Sequence, residues 1–155
     1  DATMAEAYLS SIGFSEAELR KVKLRYGRKF EPDVENKIKP FLEWLSHLGL
    51  TDLEVRQVVA DCPMFFRSRL EETSKPVVLW LKGLGMDDSQ VAKTITTFPN
   101  LLGSYSLEEN LKPRIQWLKD LGMDASQVAK TIVKFPRLLG SYSLEENLKP
   151  KVEIL

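Results

Sequence analysis

The sequence predicts an all-α fold: a right- or left-handed superhelical solenoid of tandem helix–helix–3₁₀ repeats, each about 36–37 residues long. Three observations support this prediction. Residues 86–113 recur as residues 123–150, with four differences in 28 positions. Each copy carries apolar side chains at helical spacing. Capping residues, glycines and prolines recur in register and mark the ends of the predicted helices.

Weaker copies precede the two near-identical ones at a spacing of 36 residues. Glycines line up at Gly13, Gly49, Gly85 and Gly122, and prolines line up at Pro40, Pro76, Pro113 and Pro150. We therefore predict one repeat array, with copies at approximately 1–39, 40–75, 76–112 and 113–149 and a partial copy at 150–155. This stub, and a first residue other than Met, indicate a fragment of a longer chain in which no transit peptide can be read.

The first helix of a copy is clearest around Pro113. Its apolar stripe follows steps of four, four, three and three residues: Leu107, Leu111, Ile115, Leu118 and Leu121. Capping-box spacing recurs at the start of this helix, at Ser106 and Glu109 and at Ser143 and Glu146. We expect a kink or a short break near Pro113, because proline lacks a backbone N–H and crowds the preceding turn. Gly122 is expected to end the helix in a left-handed conformation.

The second helix starts one or two residues after that glycine. Four capping boxes lie in register at its start: Ser15 and Glu18, Thr51 and Glu54, Asp87 and Gln90, and Asp124 and Gln127. In the fourth copy the predicted buried stripe is Val128, Ile132 and Phe135. Pro136 ends this helix, because the residue before a proline avoids the helical region. Residues 137–140 are expected to form one 3₁₀ turn that fills the gap between neighbouring copies.

Aromatic and sulfur-containing side chains also recur in register. Cys62 and Phe98 align with Phe135, so all three are predicted to be core positions. Trp44, Trp80 and Trp117 align with Tyr8, and each tryptophan precedes a leucine of the buried stripe. A core ridge at the joint between copies is therefore favoured over a row of platforms for stacking on bases. Tyr105 and Tyr142 lie in linkers, where packing is favoured and a surface role is the alternative.

Composition and motif content exclude several classes of function. The 22 Lys and Arg balance 22 Asp and Glu, so the net charge is zero and does not by itself indicate a nucleic-acid partner. The apolar runs are too short to span a membrane. One histidine and one cysteine do not make a zinc site, and there is no phosphate-binding glycine loop and no Gly-x-Ser-x-Gly motif. We therefore expect no enzyme, no catalytic residues, no cofactor, no metal site, no membrane partner and no small-molecule substrate.

Three motifs resemble the mTERF family of mitochondrial transcription termination factors. They are Leu-Gly-hydrophobic at 121–123, Phe-Pro-x-Leu-Leu at 135–139, and Ser-Leu-Glu-Glu-Asn-Leu-Lys-Pro at 143–150. The last motif recurs at 106–113 and is typical of plant, algal and protist members. The resemblance covers essentially the whole chain and is strongest in the last two copies.

The resemblance implies an organelle protein, in the mitochondrion or the chloroplast. It also implies binding of double-stranded DNA, with RNA as the alternative, and a role in transcription, including its termination, or in RNA processing. A scaffold for protein partners on the same solenoid is the second hypothesis, because such arrays offer long concave surfaces and the net charge is zero.

Phosphate contacts need Lys or Arg side chains presented repeatedly along one face. The fourth copy meets this need on its second helix, where basic residues fall at steps of four and three, opposite the apolar stripe. The aligned positions are all basic in the first copy, basic once in the third, and Gln57, Asp61 and Met64 in the second. We predict these nucleic-acid-binding residues: Lys21, Arg25, Arg28, Lys93, Lys130, Lys134 and Arg137. A solvated helix face is the alternative interpretation.

Overall fold

The computed structural model describes residues 1–103 and 105–140, and this part of the chain contains eight α-helices and no strand. Each of the four copies contributes two helices. The first helices are α1 (Met4–Ser11), α3 (Lys39–His47), α5 (Lys75–Gly83) and α7 (Lys112–Asp120). The second helices are α2 (Glu16–Tyr26), α4 (Asp52–Asp61), α6 (Asp88–Thr97) and α8 (Ala125–Lys134). The predicted all-α repeat fold is confirmed.

A 3₁₀ turn follows each of the last three second helices, as the sequence predicts. These turns are Pro63–Arg67, Pro99–Leu102 and Pro136–Leu139. In the first copy Gly27 stands in place of the proline, with a φ of 76°, and residues 27–33 form no helix. A left-handed glycine can cap α2 but does not set the backbone for a following 3₁₀ turn as proline does. The joint between the first two copies therefore differs from the later ones.

The break expected near Pro113 is a π-helical turn. Leu107–Leu111 winds as a π-helix directly before α7, and Val34–Ile38 and Leu70–Ser74 do the same before α3 and α5. A proline occupies the second position of each of these α-helices, where its missing N–H costs no intrahelical hydrogen bond. The structure thus places each proline at the junction between a π turn and an α-helix.

The capping box predicted at Ser106 forms only in part. The hydroxyl of Ser106 accepts from the N–H of Glu109 at 3.1 Å, as predicted. The N–H of Ser106, however, donates to Asn110 Oδ1 at 2.8 Å and not to the Glu109 carboxylate. A π turn is wider than an α turn, which places the following residue beneath the serine N–H. The similar pair Ser143 and Glu146 lies outside the described residues.

All four second helices begin at the capping boxes that the sequence predicts. At α6, for example, the N–H of Gln90 donates to Asp87 Oδ1 at 2.7 Å, and the N–H of Asp87 donates to Gln90 Oε1 at 2.9 Å. Gly122, just before the box of α8, has the expected positive φ, 101°. Every box sets the helix start at the same place in its copy, so equivalent residues occupy equivalent positions along their own second helices.

The second helices pack side by side in chain order, α2 against α4, α4 against α6 and α6 against α8. Each first helix packs against the second helix of its own copy. One continuous core of buried apolar side chains runs through all four copies. The buried hydroxyl of Ser74 also crosses a joint, because it donates to the carbonyl oxygen of Leu102 at 2.6 Å. Each copy is thus completed by its neighbours.

The core prediction is correct for Cys62 and Phe98, which are buried, and wrong for Phe135, which is 55 % exposed. The physical reason lies in the following segment of chain. The Phe98 ring is covered by Tyr105, with ring centroids 5.9 Å apart, and by the guanidinium of Arg137 at 5.2 Å. Among the described residues, the ring contact of Phe135 is instead with the ammonium group of Lys134, 5.6 Å from its centroid.

The three tryptophans and Tyr8 are half-buried and pack against the core, in agreement with the ridge that the sequence favours. Trp44, for example, meets Phe41 edge-on, with 5.5 Å between ring centroids. Tyr105 is also half-buried against the core, which favours packing for this linker residue. Its counterpart Tyr142 lies outside the described residues.

Within the described ranges, no helix has both the length and the apolar character needed to cross a membrane.

The capping boxes can be tested with two neighbouring residues of α4. Thr51→Ala removes the hydroxyl that accepts from the N–H of Glu54, so we expect the free energy of unfolding to fall by about 1 kcal/mol. Asp52→Ala, one residue along on the exposed first turn, should cost only about 0.3 kcal/mol through the helix dipole. Urea denaturation of both variants measures the difference, and equal losses would contradict the assignment of the cap.

The contrast between the aligned phenylalanines gives a second test. Phe98→Ala should lower the free energy of unfolding by about 3–5 kcal/mol, because the ring is only 1 % exposed. Phe135→Ala makes the same chemical change at an exposed position, and we expect it to cost less than about 1 kcal/mol. Thermal or urea unfolding compares the two variants. A comparable loss in both would mean that the Phe135 ring is covered in solution.

Candidate nucleic-acid interface

The seven basic residues predicted from the sequence all belong to the layer of second helices or to the turns that follow them. They are exposed in every case. Lys21 and Arg25 lie on α2, Lys93 on α6, and Lys130 and Lys134 on α8. Arg28 follows the glycine that caps α2, and Arg137 lies in the 3₁₀ turn after α8.

Alignment of the copies groups these positions into three sets, each with one residue per second helix, and the second helices pack side by side in chain order. One set holds Lys21, Gln57, Lys93 and Lys130; the next holds Arg25, Asp61, Thr97 and Lys134; the third holds Arg28, Met64, Asn100 and Arg137. The basic sets of the first and fourth copies are not brought together, because α4 and α6 lie between α2 and α8. Three helix spacings separate them by roughly 24–30 Å.

None of the seven basic residues forms a salt bridge with a described residue. The ion pairs of the described chain use other cations, such as Arg56 with Glu18 at 3.4 Å across the joint of the first two copies. Lys39 is another, and its hydrogen bond to the Glu35 carboxylate raises the pKa of the lysine. The seven predicted residues therefore keep their positive charges without a carboxylate partner in the part of the chain that is described.

Two of the seven contact a neighbouring copy. The guanidinium of Arg25 donates to the carbonyl oxygen of Asp61, the last residue of α4, at 3.2 Å. The guanidinium of Arg137 lies 5.2 Å from the centroid of the Phe98 ring. Arg25 thus satisfies a free carbonyl at the negative end of a helix, which gives it a structural role alongside any contact with a ligand.

Acidic and basic side chains occupy opposite ends of the second helices. Carboxylates gather at the helix starts, where the capping boxes place them: Glu16, Glu18, Asp52, Glu54, Asp87, Asp88 and Asp124. The predicted basic residues lie in the middle and at the C-terminal ends, where the helix dipole favours positive charge. The starts of the second helices are therefore acidic. The last turns of α2 and α8 are basic, whereas α6 has no cation in its last turn and α4 ends with Asp61; we call the side of the layer with the predicted basic residues its basic edge.

Arg67 is a basic residue that the predicted set omits. Its guanidinium donates to the carbonyl oxygen of Tyr26 at the end of α2, and lies 4.4 Å from the centroid of that ring. The position is Gly103 in the third copy and Gly140 in the fourth, so the repeat pattern carries no basic signal there. The sequence signal that could have found Arg67 is its departure from the repeat, since the near-identical copies have glycine at this position.

No group of three or more metal-ligating side chains that could hold a metal ion lies in the described ranges. His47 ends α3 and is exposed, and Asp87 serves as the cap of α6.

Comparison with known proteins places this geometry in a family. The family model described as mTERF matches residues 7–155. No curated protein matches the chain. The helix–helix–3₁₀ pattern agrees with the helical solenoid of that family, and the chain therefore belongs to the mTERF family, which suggests a nucleic-acid-binding regulator of gene expression in organelles.

Proposed function

We propose that this chain binds double-stranded DNA in a mitochondrion or chloroplast and acts there on transcription, including its termination, or on RNA processing. Family membership supports the general class, a nucleic-acid-binding regulator in an organelle, within a helical-repeat family that is not known for enzymatic activity. The choice of duplex DNA and of the contact residues goes beyond family membership. The observation that carries them is the set of basic residues on the second helices, none of which is neutralised by a described carboxylate.

The contact surface in this proposal is the basic edge of the second-helix layer. Lys21, Lys93 and Lys130 are each the sixth residue of their helix, on α2, α6 and α8 respectively. The two ends of this set are separated by roughly 24–30 Å, a little less than one turn of B-DNA, which is about 34 Å. A duplex laid along the layer can therefore meet both basic ends and the middle lysine with neighbouring stretches of its backbone.

The acidic edge contributes to orientation. Carboxylates at the helix starts repel phosphates, so a duplex is favoured only on the other edge of the layer. In the second copy the aligned positions hold Gln57, Asp61 and Met64, none of which is basic. The attraction for phosphate is therefore weaker in the middle of the surface. Most of the attraction then comes from the two ends, and binding is expected to depend strongly on salt.

A protein scaffold is the alternative function, and one observation favours it. The net charge is zero and the second copy presents Asp61 and Met64 where its neighbours present cations. A partner protein with apolar and basic groups would fit that part of the layer better than a phosphate backbone would.

The proposal can be tested by removing three lysines from the second-helix layer. The triple variant Lys21→Ala, Lys130→Ala and Lys134→Ala should lower the slope of log K against log salt for a 30-base-pair duplex by about 3, because each lysine neutralises one phosphate. Fluorescence anisotropy at several salt concentrations measures the slope. A single-stranded RNA of equal length, measured in parallel, distinguishes DNA from RNA as the preferred ligand.

A matched control removes the same charge from the first helices. Lys75→Ala, Lys82→Ala and Lys112→Ala remove three lysines from α5 and α7, each of which forms a salt bridge. We expect this control to leave the slope within about 1 of the parent value, since these residues do not lie on the proposed contact surface. Equal effects of the two triple variants would contradict the proposed surface, and a chain that binds neither nucleic acid while retaining a protein partner would favour the scaffold.

A further inference from the structure

We infer that a cleft at the joint between the first and second copies binds a phosphate group, held by the guanidinium groups of Arg28 and Arg67. The inference rests on the proposed function only for the source of that phosphate. The cleft lined by these arginines has a volume of about 540 Å³, within the usual range for ligand sites. It lies where α2 ends and the linker to the second copy begins.

Both guanidinium groups are gathered around one buried ring. Tyr26 is only 4 % exposed, and the guanidinium carbons of Arg67 and Arg28 lie 4.4 and 5.7 Å from its ring centroid. One hydrogen bond holds Arg67 in place, from its guanidinium to the Tyr26 carbonyl oxygen. Both arginines also line the same cleft, so an anion bound there can approach both guanidinium groups.

The carboxylates that line the cleft already have partners. Asp33 Oδ2 accepts from the backbone N–H of Asn36 at 2.7 Å and so caps the following π turn. Glu31 lies 4.0 Å from the ammonium group of Lys29. Neither Arg28 nor Arg67 forms a salt bridge with any residue in the described ranges. Lys29 and Lys37 also line the cleft, so four cations face two carboxylates and the lining is cationic overall.

The chemistry of these groups favours phosphate. A guanidinium presents N–H donors in a planar fork that matches two oxygens of a phosphate. Arg67 commits one hydrogen bond to Tyr26, and the structure gives Arg28 no hydrogen bond at all within the described chain. Two forks match the charge and the several oxygens of a phosphate better than those of a single carboxylate.

The later joints of the described chain do not repeat this arrangement. Gly103 and Gly140 replace Arg67, and a Cβ at Gly140 would lie only 2.5 Å from ring carbons of Tyr105. No side chain fits there without displacing that tyrosine. The second copy has Cys62 where the first has Tyr26, so the second joint lacks the ring. The third copy has Phe98 there, and the guanidinium of Arg137 lies 5.2 Å from its centroid.

The same chemistry has two sources, a phosphodiester of a bound nucleic acid and a free phosphate. Arg28 →Ala tests both, because Arg28 makes no described hydrogen bond and its loss should leave the fold intact. Arg67→Lys keeps the charge but loses the fork. Arg69→Ala is the matched control, since Arg69 lies two residues after Arg67, is exposed and pairs with Glu72 at 3.0 Å. Far-UV circular dichroism confirms that each variant is folded.

Two probes are used on the whole chain. The first is inorganic phosphate, followed by the ¹⁵N–¹H signals of the arginine Nε–Hε groups. The second is a labelled 30-base-pair duplex, followed by anisotropy at several salt concentrations. We expect phosphate to shift the signals of Arg28 and Arg67 but not of Arg69, and Arg28→Ala to abolish the shift at Arg67.

For a phosphodiester source, Arg28→Ala and Arg67→Lys weaken duplex binding roughly threefold to tenfold, Arg28→Ala lowers the salt slope by about 1, and Arg69→Ala does neither. For a free-phosphate source, phosphate shifts the two signals and duplex binding is unchanged in all three variants.

If the chain binds no duplex, the proposed function fails, but the phosphate signals still test the cleft. The inference is overturned if phosphate shifts neither signal and Arg28→Ala changes duplex binding no more than Arg69→Ala does.

Discussion

Each copy of this chain has an apolar face that only a neighbouring copy can cover, and the rest of the structure depends on that constraint. The covering element is the next second helix, so α2, α4, α6 and α8 lie side by side with one core beneath them. Phe98 shows the constraint satisfied, since residues from the following segment cover it. Phe135, at the aligned position of the fourth copy, is exposed.

Stacking also determines where charge lies. The capping boxes place carboxylates at the start of every second helix, and the last turns of α2 and α8 carry lysines and arginines. This arrangement explains how a chain with no net charge can offer a basic surface. Some of the cations have a second task, because Arg25 and Arg67 each bond a carbonyl at the end of a helix in the neighbouring copy.

Much of the fold could be predicted from the sequence, because its signals are local and repeated. Capping residues, the glycine at 122 and the prolines determine where helices begin and end, and the structure agrees on these points. The π turns could not be predicted, since they arise from how the chain enters each Lys-Pro helix start; they changed the partner of the Ser106 N–H. The exposure of Phe135 was missed because alignment with Phe98 assumes the same neighbours.

The candidate site was less predictable. Repeat spacing identifies basic residues that recur, such as Lys93 and Lys130. It does not identify Arg67, because the two clearest copies have glycine at that position. The contact between Arg67 and Tyr26 joins two copies 41 residues apart in sequence, and no local pattern predicts it. The exceptions to a repeat, and not only its regular positions, mark where one joint acquires a property of its own.

Lysine acetylation of the folded chain, read by mass spectrometry with and without duplex DNA, tests the central claim most directly. If the second-helix layer faces the nucleic acid, the duplex should slow acetylation of Lys21, Lys93 and Lys130 severalfold and leave Lys82 and Lys112 on the first helices unchanged. Protection of the first-helix lysines, or equal protection of both sets, would contradict the account.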